Sequence, residues 1–221
     1  MGSAVDTCNV ALSHLGNARR VAAIDPPDGS VEADYCAIFY PIALKELLEA
    51  ADWTFARKRI ALAPAAINES QVWAYAYAKP SDCLVPRRIL TNDPTKFEQD
   101  SADFDTEGDI LYTNQAEAVL VYTRPVSDPT KFSSSFETAL ALLLASHLAG
   151  PILKGTEGVN AKNGLRKLAT DTAKSATSND ANKTSLTNMP FPSGLMARGG
   201  YAGSTSPSTD VNTYGTGYAI N

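Results

Sequence analysis

The chain has 221 residues, 44% hydrophobic and 19% charged, enough for one sizeable domain with a real core, or one domain and a small second one. A formal charge of −5 argues against a dedicated nucleic-acid binder. Cys8, Cys36 and Cys83 are odd in number, widely spaced and without a second Cys or His at metal-ligand spacing. That is the pattern of reduced, buried thiols in a cytosolic protein, not of a disulfide framework or a metal site.

No basic segment followed by an apolar one opens the N-terminus, so no signal peptide is expected. Asp6 is expected to open the first helix, with Val5, Ala11, Leu12 and Leu15 on its apolar side and Gly16-Asn17 as its C-cap. A loop through Asp25-Pro-Pro-Asp-Gly29 leads to Ser30, which with Glu32 and Asp34 in the first turn starts a second helix running to about Ala51. Tyr35, Ile38, Phe39, Ile42, Leu44, Leu47 and Leu48 supply its helical period, and Pro41 inside that pattern predicts a kink or a break.

After Trp53 the period changes to two. Short strands are expected near Arg59–Ala63, Trp73–Tyr77, Cys83–Val85, Arg88–Leu90, Phe97-Glu98, Asp109–Tyr112 and Ala118–Thr123, separated by Gly, Pro, Asn and Asp. They imply a small antiparallel sheet. The acidic run Glu98–Glu107 lacks the spacing of a calcium-binding loop and reads as a solvated hairpin tip.

The stretch Phe136–Gly150 is apolar on nearly every face, interrupted only by Ser146 and His147 between Ala139 and Ala149. A helix apolar all round must be covered on all sides, which makes it the central core helix. A membrane span is excluded on length, because Glu137 and Pro151 bracket a run shorter than about 20 residues. Alanines alternating with leucines allow close helix approach, suiting either a monomer core or a subunit interface. Glu157–Thr177 is a last, more polar helix with Leu165, Leu168, Ala169, Thr172 and Ala176 on one side. The fold class is thus α+β: an antiparallel helix bundle (residues 1–53 and 130–177), a small β-rich insertion (54–129) and an extended C-terminal tail (178–221).

That tail is rich in Ser, Thr, Asn, Gly and Pro and holds one Lys, one Arg and two Asp, with no periodic apolar pattern. Sparse anchors remain along it: Met189, Phe191, Leu195, Tyr201, Tyr214 and Tyr218. Such spacing fits a segment that orders on a partner surface, and a non-interacting tail is the alternative.

Catalytic chemistry is sparse. The two histidines, His14 and His147, occur without a nucleophile elbow, phosphate-binding loop, dinucleotide fingerprint or His-rich metal spacing. Cys8 and His14 are six residues apart and fall on different sides of one helix. His147, in the most apolar helix, reads as a core or interface residue. Arg57-Lys-Arg59 and Arg87-Arg88 are basic clusters suited to exposed faces or acidic partner surfaces. No enzyme, cofactor or metal is expected.

Four stretches in register resemble the head-to-tail adaptor family of short-tailed phages, the tail tubular protein A family. They are Ala11-Leu-Ser-His-Leu-Gly-Asn-Ala-Arg-Arg20; Phe39 through Arg59, with the Asp52-Trp-Thr-Phe-Ala56 helix exit; Trp73 through Leu84, with its Tyr77-Ala-Lys-Pro-Ser-Asp-Cys83 turn; and Phe136 through Pro151. The resemblance covers residues 4–170. It implies a structural virion protein of the tail or neck, made in the host cytoplasm, in a ring of about twelve copies. Such a ring would connect portal protein to tail nozzle protein, and genomic DNA would pass its channel without specific binding or any membrane. The helical part would meet neighbours and portal, the β-rich part the nozzle, and the tail anchors the portal. Fully extended, the tail spans up to about 150 Å. The alternative reading is an α+β ligand- or peptide-binding module with a regulatory tail.

Overall fold

Four helices and seven strands make up the computed structural model, which describes residues 2–91 and 101–181. The expected α+β class holds. The expected extended tail lies outside the described residues from residue 182 onward.

Ser3 and Asp6 form a reciprocal capping box, Asp6 N–H donating to Ser3 Oγ at 3.1 Å and Ser3 N–H to Asp6 Oδ2 at 2.8 Å. Helix α1 (Ala4–His14) therefore begins ahead of Asp6, which is its third residue, not its cap. It ends as expected: Asn17 N–H donates to Leu12 O at 3.1 Å while Gly16 takes φ 71°. The Asn9 side chain then pairs with both backbone groups of Val21, at 3.0 and 2.8 Å, and folds the following loop against α1.

Helix α2 (Val31–Ala50) starts at the Ser30 cap, and Pro41 does not break it. Cys36 and Tyr40 before the proline, and Ala43, Leu44 and Leu47 after it, are buried along one line, so core packing holds both halves in one helix. The expected apolar face is corrected in part. Leu44, Leu47 and Leu48 point inward, but Ile38 and Ile42 are exposed.

A 3₁₀ turn (Thr54–Ala56) leads into two antiparallel sheets. The first has the order β1 (Arg57–Ala61), β7 (Val119–Thr123), β3 (Val85–Leu90), β4 (Ser101–Ala102). The second has the order β2 (Tyr75–Ala78), β6 (Ile110–Thr113), β5 (Phe104–Glu107). Both contribute to one small core of Leu62, Tyr77, Ile89, Leu111, Leu120 and Tyr122. Two expectations change here. The two expected strands Cys83–Val85 and Arg88–Leu90 give way to a single strand, β3, which starts at Val85 and is interrupted by a bulge at Arg87. The acidic run is not all hairpin tip: Phe104–Glu107 pairs with β6, and the turn is Gly108-Asp109, with Gly108 at φ 57°. The expected Phe97-Glu98 strand lies outside the described residues.

Helix α3 (Ser134–Leu153) is the central element, capped by Ser133 and running two residues past Pro151. Its 20 residues remove the length argument against a membrane span, since by length and composition it could cross a bilayer. Its packing is that of a core helix: Leu140, Leu144 and Leu148 have no exposure, and α1, α2 and α4 cover its sides. At its N-terminal end Phe136 meets Trp53 and Phe55 edge to face, with ring centroids 4.8 and 5.0 Å apart, and Trp53 Nε1 donates to Leu47 O at 2.8 Å.

Lys154 and Gly155, at φ 56° and 57°, reverse the chain into α4 (Gly155–Ala181). This helix packs through small residues, Gly158, Ala169, Ala173 and Ala176, while the expected core residue Leu168 is 51% exposed. The approach is closest at Gly158, where a Cβ would stand 2.9 Å from Ala149 O. Helix α4 also extends past Thr177, placing residues 178–181 in the helix and not in the tail.

Candidate interaction surfaces

Glu46 of α2 lies where three helices converge. Its Oε2 is 3.0 Å from His147 Nε2 on α3, and its Oε1 accepts from Arg166 on α4. The His147 ring stacks on Phe39 with centroids 5.9 Å apart and planes 8° from parallel. His147 thus joins α3 to α2, as the packing reading of its sequence context implies. Sequence separations of 101 and 120 residues left no local signal for this network.

Beside it, a groove of about 450 Å³ runs between α2, α3 and α4. Leu47, Ala50, Leu143, Ala169 and Ala173 give it an apolar floor, and Arg166, Thr170 and Lys174 stand along its α4 rim. The groove exists because α4 presents alanines to α3: short side chains bring the helix axes close but leave the flank toward α2 unfilled.

A second surface lies on the back of α2. Val31, Ile38 and Ile42 are 60%, 56% and 48% exposed. At 100° per residue these positions share one side, opposite the line through Ala33, Cys36, Tyr40 and Leu47. A third lies in the β region, where Ile67, Val72 and Tyr75 are exposed on and beside a loop closed by Asn68 Nδ2 donating to Trp73 O at 2.9 Å.

Three residues of the basic clusters, Arg57, Lys58 and Arg87, are committed within the fold, which corrects for them the reading as exposed faces or partner surfaces, while Arg59 is exposed. Arg57 pairs with Asp52 at 3.0 Å, and Lys58 with Asp82 at 2.8 Å. Tyr122 OH donates to the other oxygen of Asp82 at 2.7 Å. Hydrogen bonds from Lys58 and Tyr122 hold the Asp82 carboxyl below its ordinary range. Arg87, the bulge residue, crosses to the end of α2: its guanidinium donates to the carbonyls of Leu48, Glu49 and Ala51 at 3.0, 3.0 and 2.6 Å, and its Nε to Thr123 Oγ1 at 2.8 Å. It is the helix C-cap, supplied from a strand. Asp180 acts likewise at the start of the 3₁₀ turn, accepting from Thr54 N–H at 2.7 Å and Thr54 Oγ1 at 2.8 Å.

The surroundings of Cys83 and Cys8 disfavour the thiolate. Burial pushes the Cys83 thiol up. Cys8 and Cys36 have no exposure, and contact with Cys36, then burial, pushes the Cys8 thiol up as well. The two sit together across α1 and α2, which their spacing of 28 residues does not disclose. Among the described residues no three His, Cys, Asp or Glu side chains converge as a metal site. The expected tail anchors Met189, Phe191, Leu195, Tyr201, Tyr214 and Tyr218 lie outside the described residues. Compared with known proteins, the chain matches no family model and no curated protein.

Proposed function

We propose that the chain is a structural virion protein: a head-to-tail adaptor that closes into a ring between portal and tail nozzle and frames part of the DNA channel. Its work is binding, not catalysis. The observation that carries this reading is the two-sided α2, buried along one line while Val31, Ile38 and Ile42 stand exposed on the opposite side. An aliphatic stripe of that kind suits a helix that meets a neighbour in an assembly. A separate apolar set at Ile67, Val72 and Tyr75 supports a second contact in the β region. Each contact can be weak, because a ring repeats it in every copy. The in-register resemblance over residues 4–170 supplies the identity of the partners.

Electron microscopy of the full chain mixed with a portal ring tests the reading. Ring-shaped density stacked on the portal is the expected result, and a chain that stays monomeric beside bare portal would overturn it. Truncation should leave residues 1–181, because a cut before Asp180 would also remove the partner of Thr54. The shortened chain is expected to remain folded and to lose portal binding. Retained binding would remove Met189, Phe191, Leu195, Tyr201, Tyr214 and Tyr218 from the portal contact.

A further inference from the structure

We infer that the groove between α2, α3 and α4 is a docking site for a short peptide segment carrying two or more small apolar side chains and one carboxylate. The floor requires the apolar side chains. Leu47, Ala50, Leu143, Ala169 and Ala173 line it, and no ionised group projects from those positions.

The rim requires the carboxylate. Arg166 is neutralised by Glu46, and Glu46 is shared with His147. Lys174 makes no ion pair among the described residues, which places one unpaired positive charge at the edge of an apolar surface. The carbonyl end of α2, which would repel an anion, is already occupied by the Arg87 guanidinium. The rim hydroxyls do not compete, since Thr170 and Thr177 donate to backbone carbonyls of their own helix at 2.9 and 2.8 Å.

Shape selects a peptide over a compact small molecule. The rim follows α4 from Arg166 to Ser178, about 18 Å at 1.5 Å per residue. That length matches an extended segment of about five residues. A compact ligand is ordinarily enclosed over most of its surface, and this groove is open along one side. The inference does not rest on the ring reading, and a failed portal experiment leaves it standing.

Selection of a random seven-residue peptide library on the full chain tests it, with decanoate as a separate small-molecule probe. Selected peptides are expected to be enriched in Asp or Glu among Leu, Val and Ala. Thr170→Trp, which fills the groove from an exposed position, should weaken their binding at least about tenfold. Lys174→Glu should weaken it about five- to tenfold and abolish the preference for acidic peptides. If Thr170→Trp lowers the melting temperature, Ala50→Arg, exposed on the facing helix, serves as the second blocking variant. Failure to select any peptide, selection without acidic enrichment, or equal binding to the blocked variants would overturn the inference. Saturable decanoate binding without peptide binding would likewise overturn it, in favour of a small-ligand site.

Discussion

The helical and β regions are held together by different physics. In the helical region one apolar helix, α3, is wrapped by three others, and the core includes Trp53, Phe136, Leu140, Leu144 and Leu148. The β region shares one small core between two short sheets, with Leu62, Tyr77, Ile89, Leu111, Leu120 and Tyr122 as its main members. A core that small gives little hydrophobic stabilisation by itself. The β region accordingly adds polar ties: Lys58–Asp82–Tyr122 within it, Arg87 and Thr54–Asp180 to the helices. Nonpolar packing makes the first region, and attachment to the first makes the second.

The largest expected effect breaks the helical side. Leu144→Ala removes a fully buried side chain from the centre of α3 and should destabilise the chain by about 2–5 kcal/mol in denaturant unfolding. A loss under about 1 kcal/mol would show that α3 is not the organising core.

Arg87→Ala tests the attachment. It removes the side-chain donor from the carbonyls of Leu48, Glu49 and the cap residue Ala51 at the end of α2 and should cost about 1.5–3 kcal/mol. It should also separate the unfolding of the two regions. The tryptophans report on each: Trp53 in the helical core and Trp73 in the β region, read singly with the other replaced by Phe. Coincident transitions in the Arg87 variant would mean that this tie does not couple them.

A smaller and signed pair lies on α4. Gly158→Ala forces a Cβ against Ala149 O and should destabilise by about 1–2 kcal/mol, despite the better helix propensity of alanine. Gly164→Ala meets nothing within 4 Å and should stabilise by about 0.5–1 kcal/mol. Equal signs in thermal melts would contradict the close α3–α4 contact.

The smallest expected effect is local and pH-dependent. Asp28 accepts from the Ser30 hydroxyl and from the Ala22 and Ser30 amides, which lowers its carboxyl pKa to about 2. An ordinary Asp titrates near about 3.9, so the folded-state value is depressed. The loop contacts are then complete above about pH 4 and are lost as pH falls through about 2. Amide chemical shifts of Ala22 and Ser30 should follow that lower midpoint, and a midpoint near 4 would show that the carboxylate is not engaged.

Much of the helical architecture is legible locally. Ser30 with Glu32 and Asp34 marks the start of α2, and Gly16-Asn17 the end of α1, because caps satisfy backbone groups within a few residues. The central helix is visible in the unbroken apolarity of Phe136–Gly150. The polar ties are not legible. Arg87 reads as half of a basic pair until a bulge turns it toward α2. Asp180 reads as the start of a tail until its carboxylate meets Thr54, 126 residues away. Pro41 reads as a helix breaker because the buried line on both sides of it is a tertiary property. Phe104–Glu107 is hidden as a strand because its charged residues face outward, which local pattern cannot distinguish from a loop.

The sequence by itself therefore determined the class, the order of elements and which helix is central, all consequences of hydrophobic period and nearby capping groups. Only the tertiary structure decided what the charges do, because ion pairs and side-chain caps depend on which distant elements meet. It also decided where apolar surface is left over. The alanine face of α4 approaches α3 closely but fills little volume, and from that geometry comes the groove that Lys174 borders.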